Sequence, residues 1–267
     1  MLAIKNNIMA ANAARHLGQS YDALSKSVER LSSGLRINSA KDDAAGLAVR
    51  ELMRADIAVL KQGASNAQDG ISLLQTMEGA MSTIDNILVR MKQLAEQAST
   101  ETYSTAQRSL MDQEFDEIAL EIERIATSTE FNGINMLNSA TGSITITFGD
   151  SSDNISVDMT DVSKSGLGID SLNIDTAASA QAALSTLDSA ISTKDTARAK
   201  FGYKMNRLES TIEVLNIQGE NLSASESRIS DVDVATEMAK LTRNQVLSQA
   251  GVSMLAQANS IPQMALT

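Results

Sequence analysis

The chain has 267 residues, of which 43% are apolar but only 3% aromatic, with no Trp and four Phe. So little aromatic bulk, with Pro262 the single proline, argues against a compact enzyme core and for long helices packed by Leu, Ile, Met and Ala. The absence of Cys excludes disulfides and thiolate metal sites, and a net charge of −11 argues against nucleic acid or an anionic membrane as partner.

Residues 1–33 carry a heptad stripe: Leu17, Tyr21, Leu24, Val28, Leu31 and Leu35 step by 4, 3, 4, 3 and 4. Ile4, Ile8, Ala11 and Ala14 extend it backwards. A period of 3.5 is that of a coiled coil, with an ordinary amphipathic helix as the competing reading. The pattern stops in Leu31-Ser-Ser-Gly-Leu-Arg-Ile-Asn-Ser-Ala-Lys-Asp-Asp-Ala-Ala-Gly46. Gly34 suits a left-handed helix end, Asn38 and Ser39 are turn and cap formers, and acidic residues suit a helix start. The stretch therefore reads as a joint between two helices. Gly34 and Asn38 are expected to need unusual torsions.

A second helix is expected from about Ala44 to Ser99, with Gly63 and Gly70 as bends or register changes. A polar connection, 99–105, offers Ser104 or Thr105 as cap to a third helix ending near Ser128. That helix has Phe115, Ile118, Ile122 and Ile125 on one side and an acidic, solvated face with Asp112, Asp116, Glu117, Glu121 and Glu123 on the other. It should pair antiparallel with 65–99. Turn residues follow, among them Phe131-Asn132-Gly133. Then Ile144, Ile146 and Phe148 alternate with Thr, and Ile155, Val157 and Met159 with polar residues. With Gly149–Asn154 as turn chemistry, this is a β-hairpin at about 143–160.

The last ninety residues are helical again, with a 3,4 spacing through Leu187, Phe201, Leu208 and Leu215 and with Lys194 and Arg198 in heptad slots. A break near Ser230 mirrors the joint at 34–42. Asp231 and Asp233 precede a last helix carrying Met238, Leu241, Val252 and Leu255 to Pro262. The expected fold is mainly α: a long coiled-coil-like rod that pairs N- and C-terminal helices.

Charge sorts along the chain. Residues 101–175 hold fourteen acidic and three basic residues, the entire negative excess, whereas 6–14 and 244–267 hold no charge. Uncharged amphipathic ends are poor wet surfaces. One patch repeated on every copy and docked head to tail builds a helical filament. No cleavable signal is expected at the start, since Asn6 and Asn7 interrupt any apolar run, and no membrane span is expected.

Chemistry is not expected. His16 is the single histidine, HExxH is absent, and Gly166-Leu-Gly168 lacks the rest of a phosphate loop. Asp42/Asp43 and Glu114/Asp116/Glu117 read as surface charge. No catalytic residue, cofactor or metal ligand is assigned.

The 31–46 stretch closely resembles the signature of bacterial flagellins. The resemblance continues through Asn66-Ala-Gln-Asp-Gly-Ile71, Phe131-Asn-Gly133, and Ala250-Gly-Val-Ser-Met-Leu-Ala-Gln-Ala-Asn259 with Pro262-Gln263, and covers about 1–140 and 178–267. It implies the structural subunit of the flagellar filament. An inner domain of 1–42 plus 230–267 would form the filament core, and 43–229 an outer helical rod with the hairpin. Gly34, Arg36, Asn38, Lys41, Asp42 and Asp43 would form the linker and touch neighbouring subunits. Leu17, Tyr21, Leu24, Val28, Leu31, Met238, Leu241, Val252 and Leu255 would pack the terminal helices.

The outer variable domains common in the family are missing, so a thin, smooth filament is expected. The final Gln263-Met-Ala-Leu-Thr267 departs from the family's usual end. The resemblance also implies export as an unfolded chain to an extracellular filament. Its partners would be the chain itself, an export chaperone, a filament cap and hook-junction proteins. Val89–Gln97 resembles a segment read by an animal innate immune receptor, with Arg90, Leu94 and Glu114 as contacts, although Lys92, Gln93 and Glu96 depart from the recognised pattern. Ser/Thr-rich stretches at 139–165 and 185–196 could carry O-linked sugars. The alternatives are a hook-filament junction protein of the same family and a secreted ligand of a host receptor.

Overall fold

The computed structural model describes residues 7–149 and 153–264, with 261–264 described as helical backbone alone. Ile4, the centre of the Gly149–Asn154 turn and the final residues 265–267 lie outside them. The described residues form five helices, α1 (Ile8–Ser33), α2 (Ala44–Ser99), α3 (Thr105–Ser128), α4 (Ala177–Ser230) and α5 (Val234–Met264), and between α3 and α4 in sequence two antiparallel hairpins, β1–β2 (Glu130–Phe131, Ile134–Asn135) and β3–β4 (Ser143–Thr147, Asn154–Asp158). No described helix is long and apolar enough to cross a membrane.

The chain divides into two compact units. One is Met1–Ile57 with Glu220–Thr267, and the other is Ala58–Gly219. The dividing points fall inside α2 and α4, not at the breaks near 34–43 and 230–233.

The second unit holds the larger core. Met77, Met81, Ile84, Leu88 and Met91 of α2 are fully buried with Phe115 and Ile122 of α3 and Leu187, Phe201 and Leu208 of α4. Ser104 caps α3 through a reciprocal pair of bonds with Gln107, which satisfies two orphan donors at once. Arg90 bonds Glu114 while Arg108 donates to the Ala98 carbonyl, so α2 and α3 run antiparallel as expected.

A charged ladder sets the register of α2 against α4. Glu78, Asp85 and Lys92, one heptad apart, meet Arg198, Lys194 and Asp188 in turn. Lys194 is buried between Asp85 and Asp195. A one-heptad slip would set Asp85 against Asp188 or Lys92 against Lys194, so the pattern opposes both wrong registers.

Two glycines read as bends have another role. α2 passes through Gly63 and Gly70 unbroken. A Cβ on Gly63 would fall on the Phe148 backbone carbonyl, and one on Gly70 on Ile146 Cδ1. Both clear room for β3, whose Thr147 carbonyl also accepts from Asn66 Nδ2 at 2.9 Å. Ile146, Phe148, Ile155 and Val157 then face the core, in the alternation expected.

The short β1–β2 hairpin went unassigned. Asn132 (φ 51°) and Gly133 (φ 76°) make its two-residue turn, the pair of left-handed residues such a turn requires. The acidic face of α3 is not merely solvated. Asp112 accepts from the Ile174 N–H at 2.7 Å and Glu123 from the Lys164 N–H at 2.9 Å, so both tether the irregular chain after β4. Burial, with Asp112, Asp175 and Glu117 nearby, raises the Asp116 carboxyl above its ordinary value.

Candidate assembly surface and joint

In the first unit α1 and α5 pair antiparallel. Asn7 Nδ2 donates to the Ala258 carbonyl at 2.8 Å near one end, and Ser27 Oγ donates to Glu237 Oε1 at 2.7 Å near the other. The seam row on α1 is Ala10, Ala13, Leu17, Ser20, Leu24, Ser27 and Leu31, and on α5 Glu237, Leu241, Asn244, Ser248, Gly251, Leu255 and Ala258, with Arg30 and Ser260 half-buried beside it. Both rows alternate steps of three and four, the seam of a coiled coil. Five of these fourteen positions are leucine, and the rest are small or polar. Gly251 lets α1 approach, since a Cβ there would sit 3.0 Å from Leu17 Cδ1.

The expected period is present and its phase is half corrected. Leu17, Leu24, Leu31, Leu241 and Leu255 lie in the seam. Tyr21, Val28, Met238 and Val252 do not: they are 46–52% exposed. Hydrophobicity favoured those four, whereas close packing of two helix backbones favoured Ser20, Ser27, Glu237 and Ser248. Ile8, Met9, Val246, Leu247 and Met254 are likewise exposed. The pair thus turns much of its apolar surface outward.

Polar groups hold one end of the seam. Glu237 is buried, accepts from Ser27 and pairs with Lys240 at 3.0 Å and with Arg30 at 3.9 Å. Burial pushes its carboxyl up, but the Ser27 hydrogen bond and the two cations outweigh this and hold it below its ordinary value. The sequence offered no signal for this group beyond an i,i+3 Glu–Lys spacing.

The joint follows. Gly34 ends α1 in the left-handed region (φ 74°), with its N–H on the Arg30 carbonyl, as expected. Asn38 is corrected: its φ is not positive. It acts through its side chain, which donates to Glu29 Oε1 at 3.2 Å. The joint and the second break bond each other directly. Val232 N–H donates to the Gly34 carbonyl, Arg36 N–H to Ser230, and the Arg36 guanidinium to the Ile229 carbonyl at 2.6 Å. Leu35 and Asp231 form an isolated antiparallel bridge.

Asp42 organises the turn. Its Oδ2 accepts from the N–H groups of Asn38 and Ser39, and its Oδ1 meets Lys26 at 2.7 Å. The Lys26 bond, against the opposing effect of burial and with help from the two backbone donors, holds its carboxyl well below the usual carboxylate range. Asp43 caps α2 by accepting from the Gly46 N–H at 2.9 Å, and Asp233 caps α5 by accepting from Ala235 and Thr236. Lys41 is exposed.

Two anchors went unpredicted. Ile37 is buried beneath the turn, and Arg50 NH1 donates to its carbonyl at 2.8 Å. Gly46 is needed beside them, because a Cβ would press on Ile37 Cδ1.

Asp42 carries a pH-dependent prediction. Its depressed value means that its contribution to stability is fully present above the unfolded value of about 3.9 and is lost as pH falls through the folded value. Asp42→Asn should therefore lower the thermal midpoint at pH 7, and the gap from the parent should close as pH falls below about 4. Parallel melts across pH check this, and a gap that ignores pH would contradict it.

In the second unit Arg90 and Glu114 are half exposed and bonded to each other at 2.6 Å. Leu94 is 2% exposed and packs in the core. Of the three residues matched to a receptor-read segment, two are therefore accessible in the folded chain. Among the described residues no group of three or more His, Asp or Glu could hold a metal.

Outward apolar faces on a terminal helix pair, an uncharged final segment and a capped joint are features of a structural subunit. The bacterial flagellin N-terminal helical region matches residues 4–141 and the C-terminal helical region residues 184–267. A flagellin of Halalkalibacterium halodurans is 43% identical over 266 residues, 98% of both chains. The flagellar filament 33 kDa core protein of Treponema phagedenis is 40% identical over 281 residues, 99% of this chain and 98% of that one. The crystal structure of Bacillus cereus flagellin superposes with a TM-score of 0.53 and 33% identity, over 61% of this chain and 94% of that one. The chain belongs to the bacterial flagellin family.

Proposed function

We propose that the chain polymerises with itself into an extracellular flagellar filament, with the outward faces of α1 and α5 covered by neighbouring copies. The carrying observation is the apolar surface on those helices: Ile8, Met9, Tyr21 and Val28 on one, and Met238, Val246, Leu247, Val252 and Met254 on the other, all about half exposed or more. Such a surface marks an interaction site. Two different, complementary faces on every copy, docked head to tail without closure, give a helical polymer and not a ring. Monomer added to filament seeds of the same chain should lengthen them in electron micrographs. Intact, folded monomer that leaves seed length unchanged would overturn the reading.

The inner terminal-helix domain would lie at the filament core, and the joint residues Arg36, Lys41, Asp42 and Asp43 at contacts between copies. An export chaperone, a filament cap and hook-junction proteins complete the partners that the family resemblance suggests. A host receptor would meet Arg90 and Glu114, whose side chains are accessible, with Leu94 acting from beneath as a packing residue.

A further inference from the structure

The thirteen methionines divide by position. In the second unit Met77, Met81, Met91 and Met136 are fully buried, and Met111, Met159 and Met205 are partly covered. The exposed methionines among the described residues are Met9 (64%), Met238 (46%) and Met254 (64%), and all three lie on α1 or α5. Met254 lines a groove, with Leu17, Leu247 and Gly251 as apolar walls and His16 and Ser20 beside them. Thioether oxidation follows exposure, and it turns a flexible apolar side chain into a polar one.

We propose that Met254 is an oxidation site that gates assembly: a peroxide-class oxidant converts it to the sulfoxide in the free subunit, and the modified subunit no longer adds to a filament. The step is balanced. The sulfur lone pair attacks one peroxide oxygen, the O–O bond breaks, an S–O bond forms, and the second oxygen leaves as water. Sulfur is oxidised by two electrons and the peroxide reduced by two. The sulfoxide oxygen is a strong acceptor; of the groove walls only His16 and Ser20 carry a donor side chain, and Ser20 Oγ already donates to the His16 carbonyl at 3.0 Å, so covering the groove with another copy buries a polar oxygen where an apolar thioether sat. Once assembled, the same sulfur would be shielded. The inference rests on the reading that other copies cover α1 and α5.

The test treats full-length monomer with hydrogen peroxide, measures sulfoxide at each methionine by peptide mass spectrometry, and follows addition to untreated seeds. Met9, Met238 and Met254 should oxidise before the buried methionines of the second unit. Addition by oxidised parent should slow by about tenfold or more, and methionine sulfoxide reductase should restore it. Met254→Leu, treated identically, should keep most of its rate, whereas Met254→Gln should be slow without oxidant. Oxidised parent that adds at full rate, or oxidised Met254→Leu that slows as much as the parent, would overturn the assignment. Should Met254→Gln fold poorly, the comparison of oxidised parent with oxidised Met254→Leu decides the matter. Failure of untreated parent to add would instead overturn the self-assembly reading.

Discussion

Replacing Gly63 by alanine should lower the thermal midpoint of the chain, while the same change at Gly79 should raise it. Both glycines lie within α2. On an open helix surface alanine is favoured over glycine by roughly 0.5–1 kcal/mol, because glycine loses more backbone freedom on folding. Gly79 has nothing within 4 Å of the place a Cβ would occupy, so it should show that gain. At Gly63 the methyl would fall on the Phe148 carbonyl, and backbone cannot step aside as a side chain can. Overpacking of this kind costs about 1–3 kcal/mol, which exceeds the propensity gain. For a chain of this size each 1 kcal/mol moves the midpoint by roughly 2–4 °C, so opposite shifts should be resolved by circular dichroism. Two upward shifts would mean that β3 is not seated on α2.

A chain ending at Arg243 should no longer lengthen filament seeds, yet its second unit should still melt cooperatively. The truncation removes Ser248, Gly251, Leu255 and Ala258 from the seam and Val246, Leu247, Val252 and Met254 from the outward face. The ten residues of α5 that remain are too short to persist as a helix by propensity alone. α1 then lacks its partner as well. The core of Ala58–Gly219 contains none of the deleted residues. Helical signal should therefore fall by no more than the share of α1 and α5. Collapse of the whole signal, or undiminished growth of seeds, would each contradict the division of roles.

Much of this fold was legible because helix boundaries are written in local chemistry. Ser104 with Gln107, Asp43, Asp233 and Gly34 mark their termini by capping and by a left-handed backbone, both readable without tertiary context. The β3–β4 hairpin was legible for a similar reason, as alternation with period two survives in any environment that covers one face. What escaped depended on distant neighbours. Gly63 and Gly70 are spaced by β3, which lies some eighty residues away in sequence. Ile37 and Arg50 matter only once the joint folds over them. Lys194 was visible as a charge in a heptad slot, but its partner Asp85 lies on another helix. The α1–α5 seam shows the limit most clearly: its period was readable, but its phase was decided by serine and glycine, which carry almost no hydrophobic signal.

That seam has a thermodynamic consequence. A seam with few leucines among small or polar residues buries little apolar area per turn, so α1 and α5 hold each other weakly as an isolated pair. Anything that binds only the paired form stabilises it by mass action. If that partner is another copy of the same helices, the stability of this unit rises with the concentration of the chain. Dilution would then loosen the pair before it touches the second unit, and a growing end would act as the template on which the helices settle.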